Sequence, residues 1–385
     1  MTLLAPAAQG GHISTVETLI RAGVDVNSFG SGMRAQTALY TAIVSGSIPI
    51  TRMMLAAGAD VNFCAPCRNR YVVPRGQYCS NALQTAALDG TDSIVDLLLQ
   101  AGAQVNLQGG EYGNALQAAL ARRGNEATVK ILLDAGADVN AQGGQYGTAL
   151  QAASYWENET VAEVLLSAGA DVNRQGGEYG NALQAASLTN ADSTIRILLS
   201  AGANVNAQGG AYGNALNAAI AMRGRNFAET LLAEGADVNA QGGPYGNALE
   251  LAASKGDERI VQLLLDTGAD IERIGLFGKP LSAAFIGGAF KIVRSFLATG
   301  CDMSTLEVDI EQWLELGPEL YEEYRAPKAV ERLFKKPSRA IPKILGSANE
   351  WLEDSANKSG PPLIVGLEDN ERVSIQGGVS LRILT

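Results

Sequence analysis

Histidine occurs only once in this 385-residue chain, at His12, and cysteine occurs four times. A single histidine at a turn leaves no base for a Ser–His or Cys–His nucleophile and no two-histidine metal centre. Four cysteines spread over a chain of this size read as reduced thiols, so an intracellular setting, cytoplasmic or nuclear, is expected. No apolar run reaches the roughly 18 residues of a membrane-spanning helix, and Met1-Thr2-Leu3-Leu4 has no basic region of the kind that opens a secretory signal. Basic residues are outnumbered, 29 Lys and Arg against 40 Asp and Glu, for a net charge of −11 without any long basic run. That balance disfavours binding to a phosphate backbone, so neither nucleic acid nor membrane is an expected partner.

What the chain has in quantity is glycine and repetition. A block Gly-Gly-x-Tyr-Gly followed by Asn-Ala-Leu or Thr-Ala-Leu recurs with its polar residue at Asn114, Thr148, Asn181, Asn214 and Asn247, in steps of 34, 33, 33 and 33 residues. A second block, Gly-Ala-x-Val-Asn, keeps the same beat at Gly102, Gly136, Gly169, Gly202 and Gly235, with looser copies at Gly23, Gly58, Gly268 and Gly300. A period near 33 residues predicts a solenoid in which each unit buries its apolar face only against its neighbours.

One unit can be read from its residues. Gln108 to Gly113 is turn-rich and predicts a hairpin-like finger, because paired glycines reach positive φ without a steric penalty. Asn114 stands where a helix N-cap belongs, and Gln117 three residues later is placed to cap reciprocally. A short alanine-rich helix over 115–121 follows, then a turn, then a second helix with Val129, Leu132 and Leu133 on one face. Gly136 closes it in the left-handed conformation.

Finger, helix, turn and helix, opened by Asn-Ala-Leu-Gln at 114–117 and 181–184 or Thr-Ala-Leu-Gln at 148–151, resemble the ankyrin repeat. The family's closing Gly-Ala-Asp-Val-Asn appears unaltered at 58–62, 136–140, 169–173 and 235–239. The Gly-Gly-x-Tyr-Gly variant looks most like ankyrin arrays of filamentous fungi. The resemblance implies an all-α solenoid of about nine repeats over residues 1–300 and a non-enzymatic scaffold, adaptor or co-regulator. Such a protein grips another protein through the concave groove.

Departures from the beat mark the remaining expectations. The step from Thr37 to Asn81 is 44 residues, so an extended finger is expected at 63–80, carrying Cys64, Cys67 and Cys79. Three thiols are one ligand short of a zinc site. An acidic helical cap is expected at 301–345, and a tail at 346–385 with strand-like runs at 363–365 and 379–384. The first repeat displays Leu3, Leu4, Ile13, Val16, Leu19 and Ile20 as its apolar set, which leaves self-association possible through that end.

Carried over by position, the resemblance places a partner against the finger tips and the exposed ends of the first helices. Tyr112, Tyr146, Tyr179, Tyr212 and Tyr245 form a ladder beside the tips, either bracing the fingers or meeting the ligand. Tyr155, Trp156, Leu188 and Met222, flanked by Arg122 and Arg223, have the composition of an interaction hot spot. The alternative is a small-molecule binder or an enzyme in the same aromatic-lined groove, using Glu or Asp chemistry at Glu111 or Glu178.

Overall fold

The computed structural model describes residues 3–28, 37–63, 81–121, 125–189, 191–243, 246–275, 278–287, 289–299 and 301, and three short strands beyond. The expected long finger with Cys64, Cys67 and Cys79, and the expected cap at 301–345 except for Cys301, lie outside the described residues.

The helices come in consecutive pairs. They are Leu4–Gln9 and Ile13–Arg21 (α1, α2), Ala38–Val44 and Ile48–Ala56 (α3, α4), Ala82–Asp89 and Asp92–Gln100 (α5, α6), and Ala115–Ala118 and Glu126–Asp134 (α7, α8). Then follow Ala149–Tyr155 and Glu159–Ser167 (α9, α10), Ala182–Thr189 and Asp192–Ser200 (α11, α12), and Ala215–Ala221 and Arg225–Ala233 (α13, α14). Ala248–Lys255 and Glu258–Asp266 (α15, α16) and Pro280–Ile286 and Phe290–Ala298 (α17, α18) complete the helices among the described residues. Helix α7 is shorter than its sequence pattern predicts, its last residues passing into turns before Ala121.

Most pairs start where a side chain satisfies a free N–H group of the helix end, although α1 has no such cap. Asn81, Asn114 and Thr148 accept from the backbone N–H three residues on, and Gln84, Gln117 and Gln151 accept in return from the cap's own N–H. The glutamine amide then reaches into the next repeat. Gln151 Nε2 donates to the carbonyls of Arg174, Gly176 and Gly180 at 3.2, 3.1 and 2.6 Å, and Gln117 does the same to Ala141, Gly143 and Gly147. One buried residue thus caps its own helix and ties down the following finger.

Among the described residues the fingers from Gly109 onward are each closed by a single antiparallel bridge, as at Gly143↔Gly147 and Gly176↔Gly180. Gly147 shows why glycine stands here. Its φ is +85°, and a Cβ would come within 2.2 Å of Gln151 Oε1 and 2.6 Å of the Gly176 carbonyl carbon. Neighbouring fingers therefore stack backbone on backbone. At the opposite end of each unit the closing asparagine joins neighbours in a similar way. Asn140 Nδ2 donates to the Gly169 carbonyl at 3.0 Å, and its Oδ1 accepts from Asp171 N at 2.7 Å.

The chain divides into two compact units, Met1–Asn204 and Val205–Thr385. In the first, α1, α3, α5, α7, α9 and α11 pack in sequence, and α2 through α12 form the second row. The core lies between the rows, with Ile94, Leu98, Val129, Leu132, Val161 and Leu165 fully buried. Each such aliphatic side chain contributes on the order of 1.5–3 kcal/mol relative to exposure. The first repeat departs from expectation: Leu4 and Val16 are buried where α1 and α2 pack on α3 and α4, while Leu3 and Ile13 stay exposed. In the second unit Leu216, Ile220, Leu249, Leu251, Ile260, Leu264 and Phe296 form the core.

The segment beyond residue 301 contributes strands at Val365–Glu368, Arg372–Ile375 and Val379–Arg382 (β1, β2, β3), an antiparallel meander in the order β1-β2-β3. The first and third overlap the two runs read from the sequence. The middle one has no counterpart among them.

Candidate functional site

Helix α9 ends at Tyr155 because the helix-favouring alanines give way to two aromatics and a turn. The turn residue Glu157 has φ +57°. Elsewhere the same place is held by Gly46, Gly90 and Gly256, at φ +66°, +66° and +69°, and in the second unit by Arg223 at +60°. A left-handed non-glycine residue costs about 1 kcal/mol.

Four rings gather at this strained turn, two from it and two from neighbouring fingers. Tyr155 stacks on Tyr179 of the next finger with centroids 4.6 Å apart and planes 17° apart. Trp156 meets Tyr155 edge-on at 5.5 Å, and Tyr146 lies 5.6 Å from Tyr155, 6.4 Å from Trp156 and 6.1 Å from Tyr179. Tyr155, Trp156 and Tyr179 are half-buried, whereas Tyr146 is only 4% exposed. Tyr146 is therefore the brace beneath the cluster, and the other three rings form its surface.

The polar edges follow from that arrangement. Burial pushes the Tyr179 phenol well above its ordinary value, and the hydrogen-bonded Tyr155 hydroxyl adds to the shift, with smaller effects from Glu178 and Tyr146. Burial also raises the Tyr146 phenol, opposed by Gln145 and the nearby Trp156 indole N–H.

Beside Trp156 opens a cleft of about 370 Å³ lined by Trp156, Glu157, Asn158, Glu159 and Thr160. Glu111 and Glu178 are exposed carboxylates whose charge reaches Tyr146 and Tyr179 respectively. Among the described residues no cluster of histidine, cysteine, aspartate or glutamate is arranged to hold a metal ion.

The other residues singled out in the sequence are distributed as follows. Leu188 is half-buried on α11, which packs against α9, and Tyr112 is half-buried in the finger before α7. Met222 (37% exposed) and the exposed Arg223 belong to the second unit, where Tyr212 packs against the core. Arg122 and Tyr245 lie outside the described residues. At the corresponding helix ends of other repeats, Ala121 and Ser254 are buried. Sequence reading missed Glu157 and Glu159, although an acidic residue where other repeats place glycine was the available signal.

The comparisons agree with this architecture. A family model described as Ankyrin repeats (3 copies) matches residues 83–176, and a second, Ankyrin repeat, matches 247–275. The solved human ASB11 ankyrin repeat domain is similar at 24% identity with a TM-score of 0.51, covering 62% of this chain and 99% of that one. No curated protein matches the chain significantly. Ankyrin repeats generally mediate protein–protein interaction and are typically non-enzymatic. Among the described residues no helix is long and apolar enough to cross a membrane. Two separate segments matching ankyrin models, helix pairs tied to the next finger by the capping glutamines of α5, α7 and α9, and the shared fold show that this chain contains ankyrin repeats.

Proposed function

We propose that the chain is a scaffold or adaptor that docks another protein on the surface made by Tyr155, Trp156, Tyr179 and Leu188. The observation that carries this reading is the four-ring cluster and its cost. The left-handed Glu157 beside it costs about 1 kcal/mol at a position where other repeats use glycine. A cluster selected for bracing alone has no reason to keep that strain. Half-buried aromatics on a rigid helix end are the residues that dominate binding energy at interfaces.

The test compares immobilised wild type with Trp156→Ala, Leu188→Ala and the surface control Glu163→Ala, capturing proteins from the native cell and remeasuring each with the purified partner. Partners lost with Trp156→Ala and Leu188→Ala but kept with Glu163→Ala support the surface. Partners kept by all three variants overturn it.

A further inference from the structure

We propose that this surface takes an arginine-bearing basic segment of the partner, with a guanidinium lying against Trp156 and pairing with Glu157 and Glu159 in the cleft these residues line. The inference rests on the docking reading above and narrows its occupant.

The argument begins with charge. Glu157 and Glu159 line the cleft against Trp156, while Glu111 and Glu178 act on the tyrosines of the same cluster. None of the four makes an ion pair among the described residues. Exposed acids elsewhere in the same unit do pair, Glu17 with Arg21 and Glu126 with Lys130. Among the described residues the aromatic patch is thus edged by carboxylates that no basic side chain pairs, in a chain already at −11.

Ring faces carry negative potential from their quadrupole, so rings and carboxylates favour the same ligand: a cation. Arginine fits better than lysine. Its planar guanidinium stacks on aromatic faces while its N–H fork meets a carboxylate, whereas ammonium is a strongly hydrated point charge. Four carboxylates drawn from two fingers and a turn are more than one cation neutralises, which points to a segment with several basic residues. The left-handed turn at Glu157 contributes by placing an acidic side chain where a glycine would offer none.

The experiment titrates the full chain with a labelled peptide of alternating arginine and glycine, and with versions carrying lysine or glutamine in place of arginine. Anisotropy is read at two salt concentrations. The arginine peptide is expected to bind several-fold more tightly than the lysine peptide, and the glutamine peptide not to bind. Trp156→Ala is expected to weaken the arginine peptide about tenfold. Glu157→Gly with Glu159→Gln, which keeps the turn conformation, is expected to weaken it similarly and to flatten the salt dependence. The pair Glu163→Gln and Glu234→Gln removes equal charge elsewhere and is expected to have little effect.

Equal losses from the two charge-removing pairs would reveal general attraction to an acidic chain and overturn the proposal. So would equal binding of the arginine and glutamine peptides. If partners captured from the cell still depend on Trp156 while the arginine peptide fails, the docking reading stands and this occupant falls. If neither depends on Trp156, both fall.

Discussion

Replacing Gln151 by methionine, which keeps the length and volume of the side chain and removes its amide, tests how the repeats are joined. Gln151 is fully buried and makes four bonds: it accepts from Thr148 N at 2.6 Å and donates to the carbonyls of Arg174, Gly176 and Gly180. Losing the reciprocal half of a capping box costs about 0.5–1 kcal/mol. Two amide hydrogens serve the three carbonyls, and each buried group stripped of its partner costs about 1 kcal/mol or more. The expected loss is therefore about 3 kcal/mol, tempered by water reaching the finger. Gln151→Glu should be worse near neutral pH, because a carboxylate faces three carbonyl oxygens with no hydrogen to give. That variant's folded pKa should lie above its unfolded value of about 4.3. Its stability is then greatest below the unfolded pKa and falls as pH rises towards the folded one. Urea denaturation of both variants, followed by circular dichroism near pH 5 and near pH 7, reads these quantities. A loss below about 1 kcal/mol for Gln151→Met, or a Gln151→Glu variant as stable as wild type near neutrality, would refute the view that this amide couples the repeats.

Other outcomes follow from the same geometry. Asn217 stands where other repeats have glutamine; it reaches only the Gly242 carbonyl, at 3.0 Å, and its buried Oδ1 finds no partner. Asn217→Gln should stabilise the fold by about 1 kcal/mol, and an unchanged or lower urea midpoint would contradict this. Glu157→Gly relieves a left-handed side chain and should gain about 0.5–1 kcal/mol after the entropy cost of glycine, read as a raised melting temperature. Because burial and the Tyr155 hydroxyl raise the Tyr179 phenol above 10.0, its protonated form stabilises the fold fully below that pH. This contribution is lost as pH rises further, so Tyr179→Phe should lessen alkaline unfolding; an identical alkaline transition would count against it.

The sequence made some of this fold plain and hid other parts for physical reasons. Capping boxes and closing asparagines were legible because they depend on residues a few positions apart with fixed side-chain chemistry. The repeat-to-repeat bonds of Gln117 and Gln151 were not, since they depend on where the next finger's carbonyls lie. Tyr146 and Tyr179 occupy the same position in the motif, yet one is buried and the other half-open. The difference is the pair Tyr155 and Trp156, whose rings cover Tyr146 from the end of α9. Leu4 and Val16 looked exposed because position in a series does not reveal which face meets the next pair. Strand β2, Arg-Val-Ser-Ile, escaped notice because alternation over four residues is too short to stand out.

The unequal bonds beneath successive fingers set where the chain opens. In a linear array each unit holds only its neighbours, so opening begins at the weakest seam rather than throughout. Three carbonyls are held by Gln151, but Asn217 holds one. Backbone amides around Gly242 should therefore exchange with deuterium sooner than those around Gly176, and a protease probing the native chain should cut there first. A change of one methylene in a buried side chain decides which stretch of backbone is briefly lent to the solvent.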